Sequence, residues 1–213
     1  DTDAYASVFD TVVAYDGGAD RVTGYANVTP DNVGTLVDGT IFTRGGKEKQ
    51  NTAIFVGGGD MAKGEALLKA VQKKFFGPFR VSVMLDPNGS NTTAAAGVAL
   101  LAKAKKLKGK KAVVLAGTGP VGMRAAAMLA QEGADVTLTS RSKERAEKAA
   151  QAIEARFGVK VTPVQGGDEA ARAKDLEGAQ IVFAAGAIGV ELVKTSHWEN
   201  NPTIEAVADV NAQ

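Results

Sequence analysis

The sequence predicts an α/β protein built as two α/β domains, the second a doubly wound parallel sheet. Three observations predict it. Short apolar runs alternate with amphipathic helical runs along the chain, the pattern of strands joined in parallel through helices. Glycine is abundant, 25 of 213 residues, against a usual share of ~7%, and many of these glycines end apparent strands, where α/β folds make their ligand loops. Residues 112–150 run as an unbroken strand–turn–helix–strand–helix unit.

The elements follow in order. Residues 5–16 place Tyr5, Val8, Phe9, Val12 and Val13 on one helical face, and Gly17 and Gly18 end the run. A short apolar segment, 21–28, leads to Thr29-Pro30-Asp31, where proline in the first turn starts a helix that reaches Phe42. Residues 44–49 form a polar loop. Residues 53–56 are a buried-strand run closed by Gly57-Gly58-Gly59, a helix covers 60–75, and 81–85 is the next strand. Residues 91–106 read as a helix leading into the basic loop 107–111, which marks a boundary between domains 1–106 and 107–213. Beyond it, strands at 112–116, 135–139, 159–164, 180–184 and 204–210 alternate with helices at 119–132, 143–157, 168–175 and 189–195.

Composition narrows the function. With 25 basic and 24 acidic side chains the chain is near neutral, so neither a nucleic-acid groove nor an anionic membrane is expected as a partner. The apolar runs are too short to span a bilayer and no signal-peptide pattern opens the chain, so a soluble, cytoplasmic protein is expected. Without cysteine, and with His197 as the single histidine, disulfides, thiolate chemistry and multi-histidine metal sites are excluded.

The strand 112–116 runs straight into Gly117-Thr118-Gly119-Pro120-Val121-Gly122, a match to G-x-G-x-x-G, and an alanine-rich helix follows. In such Rossmann-type turns the first glycine permits the tight bend, the second lets a pyrophosphate approach the backbone, and the third lets helix pack on strand. The helix N-terminus offers unpaired N–H groups to the phosphates. A carboxylate that would bind the ribose hydroxyls of NAD is usual at the end of the second strand. Here Ser140 and Arg141 stand there instead, with Arg145 one helical turn on. A hydroxyl beside guanidinium forks suits a 2′-phosphate, so the expected cofactor is NADP. The bland readings are a glycine turn without ligand and two solvated arginines at a helix start. Ala185-Gly186-Ala187 ends a strand in small residues that let a nicotinamide ring lie close to the backbone. Asn211, at the end of the next strand, is a candidate for the carboxamide or the substrate.

Three stretches, TVVAYDGGADRVTGYANVTPDNVGTLVDGTIFTRGGKEKQNTAIFVGGGDM (11–61), DPNGSNTTAAAGVAL (86–100) and KGKKAVVLAGTGPVGMRAAA (108–127), closely resemble the NADP-dependent methylenetetrahydromethanopterin/methylenetetrahydrofolate dehydrogenase of methylotrophic bacteria. The resemblance covers the whole chain. It implies two α/β domains with a cleft between them, NADP on the C-terminal domain, and a tetrahydromethanopterin or tetrahydrofolate one-carbon carrier facing the nicotinamide. It also implies a homo-oligomer and a role in one-carbon oxidation between formaldehyde and formate. Family members begin with a strand before Asp1 and continue well past Gln213.

Oxidising a methylene bridge between two nitrogens removes a hydride and leaves a methenyl cation stabilised by both, with no proton lost at that carbon. Such a site mainly holds donor carbon and acceptor in near-attack geometry, which suits a chain with one histidine and no cysteine. On the substrate side, loops at the carboxyl ends of strands offer Asp20, Asn88, Asn91 and Thr93 as catalytic candidates and Thr29 and Ser90 as substrate-binding ones. Asn and Ser suit the amide and amine edges of a pterin, and Asp20 suits orientation of the ring or tuning of the cation. A plain turn at 86–89 and a helix cap at 91–93 are the competing readings. Gly57-Gly58-Gly59-Asp60 reads first as a strand-to-helix turn and second as an anion site. Arg44, Lys47 and Lys49 suit either an acidic carrier tail or a solvated loop, and His197-Trp198 suits packing or surface. Two rival functions remain at this level: another NADP dehydrogenase of shikimate-dehydrogenase-like architecture, and an NADP-binding module without turnover.

Overall fold

The structure, a computed structural model, describes residues 1–166 and 171–211. It divides into two compact units, Asp1–Gly89 and Ser90–Gln213.

The first unit is a small βαβ layer. Strand β1 (Ala53–Val56) pairs in parallel with β2 (Ser82–Leu85), Ala53 opposite Ser82 and Val56 opposite Leu85, and helix α3 (Met61–Lys74) makes the crossover. Asp60 starts α3 by accepting the Lys63 amide at 3.0 Å. Helix α2 (Val33–Phe42) packs with α3 through Val33, Val37, Ile41, Leu67 and Val71, which close this core with Val28 and Val56. A single 3-10 turn (Pro87–Gly89) follows β2.

Two sequence expectations change here. Helix α1 (Val8–Asp16) starts later than residue 5, because the Ser7 hydroxyl accepts the Asp10 amide at 3.0 Å and sets the N-terminus. Its apolar face, Val8, Phe9, Val12 and Val13, is exposed. Residues 46–51 wind into a 3-10 helix where a polar loop was expected at 44–49.

The second unit opens with helix α4 (Ser90–Ala104), which the sequence boundary at 106/107 assigns to the first. It belongs here because Ala94, Val98 and Leu101 join the core of the larger sheet, and a Cβ on Gly97 would meet the Phe183 ring at 2.6 Å. That sheet has the order β5-β4-β3-β6-β7, all parallel: β3 (Lys111–Leu115), β4 (Asp135–Ser140), β5 (Thr162–Gln165), β6 (Ile181–Ala184) and β7 (Ala206–Asp209). Alternation along β3 sends Ala112 and Val114 into one core, with α4, helix α5 (Pro120–Gln131) and helix α6 (Lys143–Phe157). Val113 and Leu115 enter a second core on the opposite face with Leu176, Ala179 and Val182. Strands buried on both faces are near-continuously apolar, as β3 and β6 are. From β3 the order runs outward both ways, so its carboxyl end lies at a switch point, where open α/β sheets bind ligands.

A short helix α7 (Arg172–Asp175) is the described part of the 168–175 expectation; 168–170 lie outside the described residues. The helix expected at 189–195 is absent. Gly189 takes φ 74° there, and the helix α8 (Thr195–Trp198) forms instead, its start held by the Lys194 amide donating to His197 Nδ1 at 3.1 Å.

Candidate functional site

The glycine turn departs from β3 through Ala116, held at φ 51°, a left-handed conformation rare for alanine. The Gly117 amide donates to the Thr139 carbonyl at 2.9 Å and ties the turn to β4. A Cβ on Gly117 would lie 2.6 Å from Leu138 Cγ, and one on Gly122 would lie 2.7 Å from the Gly117 Cα. Those two glycines let α5 and β4 close on the turn. Gly119 differs: nothing lies within 4 Å of its Cβ position. It is the N-cap of α5, no side chain caps the helix there, and Pro120 takes the first helical position. Thr118 and Val121 flank this opening, both partly exposed. The helix therefore presents uncapped N–H groups and positive dipole at an open position, the chemistry that receives a pyrophosphate. The residues present fit a dinucleotide.

At the end of β4, Ser140 is buried and its Oγ accepts the Ser142 amide at 3.3 Å, so its hydroxyl holds the turn that carries Arg141. Ser142 caps α6 through the Arg145 amide at 3.3 Å. Arg141 and Arg145 are exposed, and among the described residues neither guanidinium has a hydrogen-bond or ion-pair partner. Two acids of α6 are taken by lysines, Glu144 by Lys148 at 2.6 Å and Glu147 by Lys143 at 3.8 Å. Gln165 at the end of β5 donates to the Arg141 carbonyl at 3.3 Å and steadies that backbone.

Past β6, the Ala185 amide donates to the Leu115 carbonyl at 3.1 Å. The Gly186 carbonyl accepts from Asn211 Nδ2, whose backbone amide donates to Asp209 Oδ1 at 2.9 Å. A Cβ on Gly186 would meet Leu192 Cδ1 at 2.8 Å, and Ala187 is exposed. The carboxyl ends of β3, β6 and β7 thus share a small-residue ledge braced by the Asn211 side chain.

The substrate-side candidates divide between the units. Asp20 is exposed with no hydrogen-bond partner among the described residues; the Thr29 amide donates to Asn32 Oδ1 at 2.8 Å; Asn88 sits exposed at φ 54° in its 3-10 turn. These three lie in the first unit. Ser90, 1% exposed, Asn91 and Thr93 begin α4 in the second. Asn91 Oδ1 accepts from Arg124 Nε, and Thr93 lines a groove of about 670 Å³ along α4 and β7 with Gly97, Leu100, Val207 and Asp209.

The Gly59 amide donates to Asp3 Oδ2 at 2.8 Å, so the chain's own carboxylate sits at the 57–59 turn. Lys49 lies 3.9 Å above the Phe79 ring and donates to the Pro78 carbonyl, and Arg44 stands 4.0 Å from Glu48. Among the described residues no acidic or histidine cluster suits a metal, and no helix is long and apolar enough to cross a membrane. Arg124, 4% exposed, is a buried charge that sequence reasoning missed. A signal existed: an alanine-rich helix buried on most of its surface leaves no solvated face for an arginine.

Residues 8–88 match the family described as methylene-tetrahydromethanopterin dehydrogenase, N-terminal, and residues 104–196 match one described as putative NAD(P)-binding. The chain is 66% identical over its whole length to the bifunctional protein MdtA of Methylorubrum extorquens, of which it spans 75%. It is 34% identical, over 98% of its length, to 72% of the NAD(P)-dependent methylenetetrahydromethanopterin dehydrogenase of the same organism. Among solved structures, an L-alanine dehydrogenase shares 24% identity at a TM-score of 0.41, over 56% of this chain and 36% of that one. The chain belongs to the methylene-tetrahydromethanopterin dehydrogenase family.

Proposed function

We propose that the protein is an NADP-dependent dehydrogenase that transfers a hydride from the methylene bridge of methylene-tetrahydromethanopterin. The observation that carries the reading is the nucleotide turn itself. It is open at Gly119, and at and just after the end of β4, the place where NAD-specific turns put an acid, stand two guanidiniums that have no partner among the described residues. The family to which the chain belongs supplies the carrier.

NADP, when bound, supplies the hydride acceptor. Residues 117–122 hold its pyrophosphate against the start of α5, and Arg141 and Arg145 receive the 2′-phosphate, with Ser140 and Gln165 fixing the backbone beneath them. The ledge at Ala185, Gly186 and Ala187, braced by Asn211, gives the nicotinamide ring a flat seat. Asn91 and Thr93, on the helix packed against α5, offer amide and hydroxyl groups to the pterin, and Asp20, Thr29, Asn88 and Ser90 are the further candidates for its polar edges. No general base is needed, because the carbon that loses the hydride loses no proton and its cation is shared by two ring nitrogens. The chain's task is to hold the two reacting carbons in near-attack geometry and to keep water out.

Turnover is read at the reduced-nicotinamide band with NADP or NAD and either methylene-tetrahydromethanopterin or methylene-tetrahydrofolate. Reduction of NADP with the methanopterin carrier is expected, and the folate arm measures how far the carrier tail matters. In Arg141→Asp, losing one charge-assisted bond of roughly 1.5–3 kcal/mol should weaken NADP binding at least about tenfold and move preference towards NAD. An unchanged NADP affinity in that variant would remove the basis for the cofactor assignment, and tight NADP binding without turnover of either carrier would favour a binding module.

A further inference from the structure

Arg124 is a buried cation on the fifth residue of α5. Its side chain runs back towards the helix start, as helical side chains do. There the guanidinium donates from one terminal nitrogen to the Pro120 carbonyl at 3.0 Å and from Nε to Asn91 Oδ1. One planar group thus grips the first turn of α5 and the first turn of α4 together. Nothing about helix stability asks for this. A cation near a helix N-terminus opposes the dipole, and burying a charge is costly unless it is held by good partners. Lysine, with its rotatable point charge, cannot hold two acceptors at fixed relative angles as a guanidinium does. Because a guanidinium only donates, it also settles which way the Asn91 carboxamide faces: oxygen towards Arg124, nitrogen away.

We propose that Arg124 is a positioning residue that locks the Asn91 carboxamide in this orientation and keeps the start of α4 in register with the nucleotide turn. The inference rests on the preceding reading only where it assigns Asn91 to the pterin side; the locking itself is independent of turnover.

Two readouts separate the two. The side-chain amide signals of Asn91, observed by nitrogen-15 NMR in the full chain, report the lock directly. They are expected to be shifted and protected in the unsubstituted protein and to move to solvent-exposed positions in Arg124→Met. Arg124→Lys, which keeps the charge, should behave like Arg124→Met in this readout. Should neither variant fold, Asn91→Ala gives the reciprocal measurement: the Arg124 Nε–H signal, protected before, becomes exchangeable. In steady-state assays Arg124→Met should keep NADP affinity within about threefold while kcat/KM for methylene-tetrahydromethanopterin falls about tenfold or more, as misplacement of a reacting partner predicts. The Asn91→Ala/Arg124→Met pair should be no worse than the worse single change, since both remove one device. Unmoved Asn91 signals in Arg124→Met, or multiplying losses in the pair, would overturn the proposal. If the unsubstituted protein fails to oxidise the carrier, the functional reading falls and the NMR readout still decides the role of Arg124.

Discussion

A methyl group added at Gly122 would lie 2.7 Å from the Gly117 Cα and 2.9 Å from its carbonyl carbon and oxygen, all backbone atoms of the nucleotide turn. No side chain can swing aside to relieve that contact, so Gly122→Ala forces α5 away from the turn. The expected cost is about 1–3 kcal/mol, the scale of overpacking a close contact. At Gly119 the same methyl meets nothing within 4 Å, and the backbone there has an ordinary φ of −80°. Gly119→Ala should therefore leave stability within about 0.5 kcal/mol. It should still weaken NADP, by about tenfold if one charge-assisted backbone contact to the pyrophosphate is lost. Thermal melts with and without NADP, followed by a binding titration, separate the two residues. A Gly119→Ala protein that binds NADP as well as the parent would place the pyrophosphate somewhere other than this turn. The glycine roles could be read from spacing, because each follows from backbone sterics. Arg124 could not be paired with Asn91 that way, since 33 residues separate them and only the packing of α4 on α5 brings them together.

Helix α4 shows the same logic one level up. Gly97 costs the helix about 1 kcal/mol in intrinsic propensity relative to alanine, yet its missing Cβ is what admits the Phe183 ring, 2.6 Å from the ideal Cβ position. Phe183 is fully buried in β6 and has no vacant space to enter. Gly97→Ala should lower stability, the overpacking cost of about 1–3 kcal/mol outweighing the propensity gain. In α2, Gly39 has nothing within 4 Å and is exposed. Gly39→Ala should raise stability by about 0.5–1 kcal/mol. Denaturant midpoints of the two variants should move in opposite directions; a Gly97→Ala protein more stable than its parent would mean that α4 is not seated on β6. Most elements were legible because their residues are buried in a fixed period: β3, β4, β6, α5 and α6 lie within a residue or two of their expected bounds. The partner of α4 was not legible. Its alanine-rich run, with apolar residues all around, fits any neighbour, and only the fit of Gly97 to Phe183 decides the matter. The helix expected at 189–195 failed for a different reason. Gly189 takes a left-handed conformation that an α-helix does not contain, a choice of backbone that periodicity does not report.

Across the whole molecule, 25 basic and 24 acidic side chains nearly cancel at neutral pH, so acidification builds positive charge steadily as carboxylates are protonated. One carboxylate has a defined place in that response. Glu205 accepts from Lys110 and from Gln180 Nε2 at 2.9 Å, its backbone amide donates to the Gln180 carbonyl at 2.8 Å, and Gln180 in turn donates to the Lys111 carbonyl at 2.9 Å. These residues stand at the amino ends of β3, β6 and β7, opposite the ledge at their carboxyl ends, so a polar clamp at one end of the sheet braces the strands that form the site at the other. The Lys110 hydrogen bond is the largest cause that holds the Glu205 carboxyl below its ordinary 4.5; burial opposes it, and the Gln180 hydrogen bond and the lysine charges add to the lowering. A carboxyl whose folded pKa lies below its unfolded one stabilises the fold above the unfolded value, and that contribution is lost as pH falls through the folded value. Glu205→Gln should therefore lower the melting temperature at pH 7, and the difference from the parent should shrink as pH falls below the ordinary carboxylate range. Both charged groups are partly exposed, 27% for the Lys110 side chain and 29% for Glu205, so added salt should narrow the difference at pH 7. Melting curves from pH 7 to about pH 3 test the clamp. Parallel losses in parent and variant would show that the strands are held at that end by their backbone ladder alone, and that the Lys110 contact contributes nothing to the whole.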